Sequence, residues 1–308
     1  MESTRIASTE LGQHTAAALR PEVLLDWYAA TARDLPWRGG GVSAWGVLVS
    51  EVMLQQTPVA RVLPVWQTWL TRWPEPADLG ADTPAEAVRA WGKLGYPRRA
   101  LRLHAAAQQI VARFDGEVPR GIEDLESLPG VGAYTARAVA AFAFGARTPV
   151  VDTNVARVLA RAIEGHGHAG PSVGAADRAK VESLLPADAA LAARFSVAVM
   201  ELGALVCTAT SPDCTHCPIR TDCAWRVAGS PAYAGPRRKV QHFEGTDRQV
   251  RGRLLDILRG TPEPVAAEEV DRAWADGVQR SRALDSLLVD GLVEQRADGR
   301  FALAGESP

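Results

Sequence analysis

The four cysteines of this 308-residue chain all fall in one segment, CTATSPDCTHCPIRTDC, at Cys207, Cys214, Cys217 and Cys223. A C-x6-C-x2-C-x5-C spacing puts four thiolates on one compact loop, the donor set of a metal site or a cubane iron–sulfur cluster. Structural zinc usually takes paired C-x2-4-C knuckles, and only Cys214 and Cys217 are so placed. Disulfides fit poorly with a chain that shows no export signal. The spacing therefore favours iron–sulfur over zinc.

Two carboxylates stand out beside the cysteines. In SAWGVLVSEVMLQQT, Glu51 is the only polar residue besides Ser50 among Trp45, Val47, Leu48, Val49, Val52, Met53 and Leu54. A carboxyl group in apolar surroundings is costly to ionise, which would suit a general acid, although a Glu on a helix often simply faces water. Asp152 opens VDTNVARVLARAI, where an acidic side chain at a first turn is favoured by the dipole and by the orphan N–H groups. Taken singly, Asp152 is a helix cap. Just before it, LPGVG brackets Val131 between Gly130 and Gly132, a turn whose backbone N–H groups could approach a phosphate without a Cβ clash.

These residues must be positioned by helices. Helical spacing runs through EVLLDWYAATARDLPW, SAWGVLVSEVMLQQT and VLPVWQTWLTRW, and TPAEAVRAW offers Thr83 as cap, Pro84 at the first helical position and Glu86 closing a capping box. GKLGYPRRALRLHAAAQQIVARF contains a Gly-bounded turn with Tyr96 at its tip and Arg98, Arg99 and Arg102 after it. Tyr96 reads equally as a core aromatic or as a wedge for a base stack, with the cations taking phosphates. No strand-like alternation interrupts the chain before the cysteines, so this part reads as all-α. Glu201, in ADAALAARFSVAVMELGALVC, reads alone as a capping or surface residue.

A formal net charge of −2 and a pI near 6.3 would not by themselves suggest a nucleic-acid partner, so any such contact must come from local basic patches. No apolar run approaches membrane length and the N-terminal segment is not a signal peptide, which makes a cytoplasmic protein the expectation. After Trp225 the Gly-, Pro- and Ser-rich stretch GSPAYAGPRRKV reads as a linker, with Arg237, Arg238 and Lys239 followed by Arg248, Arg251 and Arg253. Beyond it, three helical patterns and a hairpin turning at Asp298-Gly299 suggest a winged helix. Its recognition helix would begin at Gln279, Arg280 and Arg282, although such modules also dock proteins.

In their mutual order, SEVMLQQT, LGY, LPGVG, VDTN and the four-cysteine loop resemble the MutY-type adenine DNA glycosylases of the helix-hairpin-helix superfamily over roughly Glu22 to Trp225. The resemblance implies a catalytic region over 1–229, with a helical barrel module around 22–145 and a cluster module formed by the N-terminal segment and about 146–229. A linker at 230–245 and a winged-helix-like domain at 246–308 follow. It also implies duplex DNA bound across a cleft, a [4Fe-4S] cluster on the four cysteines and excision of adenine opposite 8-oxoguanine or guanine.

By position in those motifs, Glu51 matches the family's general acid and Asp152 its second carboxylate. Adenine leaves poorly unless protonated, so Glu51 would supply the proton while ionised Asp152 stabilises an oxocarbenium-like sugar and, in a retaining scheme, briefly traps it. Tyr134 stands where the related endonuclease III enzymes carry a Schiff-base lysine, which implies base excision without an efficient lyase step. The match makes Gln56, Thr57, Leu94 and Tyr96 the residues that wedge the duplex and contact the partner base once adenine is flipped. It puts Arg38 and Glu201 on the adenine pocket, Gly130, Val131 and Gly132 on phosphate, and Asn154 as a brace for Asp152.

The tail departs from the family pattern, because longer members end in a Nudix-like domain whose Phe-Ser-His loop motif is not found after Val240. Lesion preference must then lie elsewhere, and the tail could instead dock a replication or repair protein. A monomer working at the nucleoid is expected. Two other readings share these residues: a mismatch-specific thymine or uracil glycosylase on the same fold, and a non-catalytic DNA-binding iron–sulfur sensor.

Overall fold

The computed structural model describes residues 18–232 and 242–306; Arg237, Arg238 and Lys239 of the basic linker lie outside the described residues. In chain order the helices are α1 (Pro21–Thr31), α2 (Ala44–Leu54), α3 (Val59–Arg72), α4 (Pro76–Ala81), α5 (Pro84–Trp91), α6 (Arg98–Phe114), α7 (Ile122–Glu126), α8 (Ala133–Phe144), α9 (Thr153–Ala162), α10 (Ala175–Leu184), α11 (Ala189–Leu205), α12 (Ala224–Val227), α13 (Asp247–Arg259), α14 (Ala267–Asp271) and α15 (Gly277–Val289). Strands β1 (Val293–Gln295) and β2 (Phe301–Leu303) follow. The fold is predominantly helical, as the sequence pattern requires.

Local chemistry explains where the helices begin. Ser43 accepts the Gly46 N–H at 3.1 Å to start α2, and Asp188 and Asp276 do the same for α11 and α15. At α5, Thr83 accepts the Glu86 N–H at 3.2 Å with Pro84 in the first turn. The expected capping box is not what holds Glu86, whose carboxylate goes to Arg72 and Arg89. Helix α1 ends at Thr31, and a 3-10 turn at Pro36–Arg38 carries the remainder of that segment.

The described chain divides into two units, one of residues 18–40 and 136–232, the other of residues 41–135 and 242–306. In the first, α11 packs on α1 and α9. On α9 the residues Val155, Val158, Leu159 and Ala162 repeat at helical spacing and are buried with Leu24, Phe195, Val199 and Leu202. Ile219 and Cys223 of the cysteine loop join that core.

In the second unit the core is built on tryptophan. Trp69 meets Trp73 and Trp91 edge-on at centroid distances of 4.9 and 5.5 Å, and the indole N–H of Trp66 reaches the Gly46 carbonyl at 2.8 Å. The C-terminal part comprises α13, α14 and α15 with an antiparallel hairpin in which Val293 pairs with Leu303. Gly299, at φ +87°, makes the expected hairpin turn, since that region is open to glycine without strain.

Candidate active site and cysteine loop

Glu51 lies in the middle of α2 and is 6% exposed, between fully buried Ser50 and Val52. The water-facing alternative is thereby excluded. Immediately after α2 the chain turns through Gln56, whose φ is +56°, and a second loop reaches Tyr96, whose φ is +47°. Gln56 is exposed and Tyr96 is 43% exposed, whereas Thr57 and Leu94 are buried. The two loops therefore present Gln56 and Tyr96 outward and use Thr57 and Leu94 as internal support.

Arg99 ties these loops together, a role no sequence pattern announced. Its Nη1 donates to the carbonyls of Val52, Met53 and Gln55 at 2.8, 2.9 and 2.6 Å, and its Nη2 donates to Thr57 Oγ1 and the Gly95 carbonyl at 2.9 Å each. The guanidinium thus caps the negative end of α2 while gripping the Tyr96 loop. Burial pushes it down to about 10, an effect that the Tyr96 phenol partly offsets. The sequence had offered Arg99 as a phosphate-binding cation; its burial commits it to backbone carbonyls instead.

In the LPGVG turn, Gly130 has φ +83°, and a Cβ there would come within 2.9 Å of the Arg102 Cβ. A Cβ on Gly132 would meet nothing within 4 Å, so this residue borders open space. Val131 is buried and its N–H closes the turn on the Leu128 carbonyl at 3.1 Å. That amide is therefore removed from the phosphate cradle the sequence suggested, leaving the exposed glycine side of the turn. Tyr134 lies half-buried in the first turn of α8.

Asp152 is the N-cap of α9, accepting the Val155 N–H at 2.7 Å through Oδ1 and the Asn154 amide at 2.7 Å through Oδ2. Burial raises its carboxyl above the usual range, and these hydrogen bonds, with the charge of Arg157, partly counter that rise. Arg157 links the cap to the cysteine loop. It donates to Asn154 Oδ1 at 2.7 Å, to the Gly203 carbonyl at 2.6 Å and to the Cys207 carbonyl at 2.7 Å. Gly203 matters for a steric reason: a Cβ there would stand 2.7 Å from the Asn154 Cβ and 2.8 Å from its carbonyl oxygen.

Arg38 and Glu201 do come together, at 2.9 Å, but Glu201 is fully buried and a second arginine shares it. Arg33 donates to it from Nε at 2.7 Å, Nη2 at 2.6 Å and the backbone at 3.1 Å. Burial alone would raise the Glu201 carboxyl, and the Arg33 and Arg38 hydrogen bonds outweigh it, holding the group at about 2. Among the described residues, Arg38 Nη1 is buried with no hydrogen-bond partner, a donor left over after the Glu201 contact.

All four cysteines line one cavity with Val158, Arg161, Ile219 and Trp225. Burial pushes the Cys217 thiol up to about 11 and raises Cys223. Bare thiolates are thus unfavourable there and would need a compensating positive centre. Four thiols around one shared void fit a cubane cluster. Arg161, 3% exposed, approaches Cys207 Sγ at 3.4 Å and pins the loop by donating to the Thr208 and Ala209 carbonyls at 2.7 and 3.1 Å.

The tail arginines read as a recognition surface are largely engaged within the protein. Arg282 pairs with Asp247 at 2.7 Å, Arg280 with Asp271 at 2.8 Å, and Gln279 donates to the Gly245 carbonyl at 2.8 Å.

Residues 49–172 match the model of the HhH-GPD superfamily base excision DNA repair protein. The chain is 58% identical over 290 residues to an adenine DNA glycosylase of Mycolicibacterium smegmatis, covering 94% of this chain and 97% of that one. It is 42% identical over 211 residues to the adenine DNA glycosylase of Homo sapiens, covering 66% of this chain and 38% of that protein. The solved structure of a thermostable thymine-DNA glycosylase superposes with a TM-score of 0.61 at 25% identity, over 68% of this chain and 95% of its own.

Proposed function

The chain belongs to the adenine DNA glycosylases of the HhH-GPD superfamily, and from that premise we propose that it excises adenine paired with 8-oxoguanine or guanine in duplex DNA. The N-glycosidic bond is hydrolysed, and the abasic strand is left uncut. The observation that carries the reading is chemical: a buried Glu51 in an apolar helix and an Asp152 whose ionised form is held by two N–H donors.

Glu51 protonates a ring nitrogen of the departing adenine, which converts a poor leaving group into a neutral one. Asp152, at the positive end of α9, stabilises the positive charge that develops on the sugar, and water completes the hydrolysis. The spare Nη1–H of Arg38 suits an acceptor nitrogen of adenine, with Glu201 and Arg33 holding the guanidinium in place. Tyr134 has no amine, so no imine forms and strand cleavage is not expected. Gln56 and Tyr96 face the partner base, and the glycines of the LPGVG turn receive a phosphate.

Cys207, Cys214, Cys217 and Cys223 hold a [4Fe-4S] cluster in this reading. When bound, it supplies a cross-link and a positive core that compensates the thiolates. No described helix is long and apolar enough to cross a membrane. The working place proposed is the bacterial cytoplasm at chromosomal DNA, and the working form a monomer.

The decisive experiment incubates the protein with duplexes carrying A:8-oxoG, A:G, G:T and G:U, followed by alkali to reveal abasic sites. Cleavage at adenine confined to alkali-treated samples is expected. Release of thymine or uracil instead of adenine would transfer the protein to the mismatch thymine and uracil reading. Borohydride trapping should give no covalent adduct, and iron analysis with the visible absorbance of the isolated protein decides between cluster and zinc.

A further inference from the structure

The C-terminal part is anchored, within its own unit, on the elements that carry the Tyr96 loop. Arg89 of α5 donates from Nη1 to the carbonyls of Leu258, Arg259 and Thr261 at 3.3, 2.8 and 3.0 Å, capping the C-terminus of α13. Its Nη2 takes both oxygens of Glu306 at 2.7 Å. Arg259 returns a bond to the Val88 carbonyl at 3.1 Å, and Arg98 meets Asp290 at 3.1 Å. This anchorage sets the first turn of α13 beside Tyr96, where the Arg248 guanidinium lies 4.6 Å from the ring centroid.

Two cations therefore lie against one tyrosine ring, buried Arg99 at 5.6 Å and exposed Arg248 at 4.6 Å. Of the neighbouring arginines of the tail, Arg251 is taken by Asp290 and Arg282 by Asp247, and Arg253 lies over the Trp274 ring, away from Tyr96. Among the described residues no carboxylate pairs with Arg248, and its side chain is solvent-exposed. A guanidinium stacked by its face keeps its in-plane N–H donors for another acceptor, and phosphate is the acceptor that DNA offers at its surface.

We propose that Arg248 makes the C-terminal domain part of the DNA interface, bracing the Tyr96 ring by cation–π contact while donating to a backbone phosphate beside the wedged base pair. The inference rests on the reading of Tyr96 as the wedge. It gives the tail a role in binding that no contact of its own recognition-helix residues supplies.

The test compares the full-length, cluster-loaded protein with Arg248→Ala, Arg248→Lys, Tyr96→Ala and Arg300→Ala, the last removing the same charge from the exposed hairpin. Binding to an A:G duplex is measured across salt concentrations, with 2-aminopurine beside the mismatch reporting unstacking. Arg248→Ala should lower the slope of log K against log salt by about 0.9 and the fluorescence gain by about twofold. Arg248→Lys should restore the slope. Arg300→Ala should change neither; an equal loss of slope in that variant would make the effect one of net charge and overturn the contact. If Tyr96→Ala loses the fluorescence gain while Arg248→Ala matches the parent in both readouts, the Arg248 proposal alone fails. If Tyr96→Ala keeps the gain, the wedge reading fails and takes this inference with it.

Discussion

Asn154 donates from Nδ2 to Oδ2 of Asp152 at 2.7 Å, and its own Oδ1 is held at 2.7 Å by Arg157. In the proposed reaction this relationship would set the acid limb. Burial raises the Asp152 carboxyl, while the Val155 and Asn154 bonds pull it down. In the proposed reaction the ionised form is the active one, so activity should fall as pH drops through that raised value, above the ordinary carboxylate range. Asn154→Ala removes one of the opposing bonds and should move the acid limb to still higher pH. Single-turnover adenine release measured against pH checks this, and an unmoved limb would refute the role given to Asn154.

Gly203→Ala should damage the same carboxylate from the opposite side. The new methyl would stand 2.7 Å from the Asn154 Cβ and 2.8 Å from its backbone oxygen, neither of which is the free end of a flexible chain. Overpacking of this kind typically costs about 1–3 kcal/mol. Thermal unfolding should show the loss, and the turnover rate should drop because the Asp152 cap shifts. A stable variant with parental rate would show that α9 and α11 can separate without cost.

Replacing Arg99 by leucine should destabilise the protein by roughly 2–4 kcal/mol, because the buried carbonyls of Val52 and Met53 and the half-buried ones of Gln55 and Gly95 lose their donor. Lysine restores a charge without the fork and should recover only part of it. Urea unfolding supplies the measurement. Equal stability of parent and Arg99→Leu would mean that water satisfies those carbonyls.

Glu201 is shifted in the opposite direction to Asp152, and its readout is stability rather than rate. Its folded value, about 2, lies below the reference of 4.5, so its contribution is complete above the reference and disappears as pH falls through the folded value. The shift corresponds to roughly 3 kcal/mol. Glu201→Gln should therefore lose stability at neutral pH and flatten the stability profile between those two values. A parental profile in the variant would place the acid sensitivity elsewhere.

What could be read along the chain was local. The four-cysteine spacing, the Asp152 cap, the isolation of Glu51 in α2 and the Asp298-Gly299 turn each depend on residues within one or two turns of one another. The structure caps α9 with Asp152, buries Glu51, turns the hairpin at Gly299 and lines one cavity with the four cysteines. The helices of the tail were legible for the same reason.

What the sequence could not give was pairing between distant residues. Arg33 and Arg38 meet Glu201 across separations of 168 and 163 positions, and Arg89 reaches Glu306 across 217. Nothing in a one-dimensional pattern distinguishes an arginine that will face phosphate from one that will be buried on carbonyls. The sequence by itself determined the chemistry available: which acids, which thiols and which turns. The tertiary structure decided which charges remain available to a ligand, withdrawing Arg99, Arg280 and Arg282 and leaving Arg248, because that choice depends on which opposite charge or dipole folding brings within hydrogen-bonding distance.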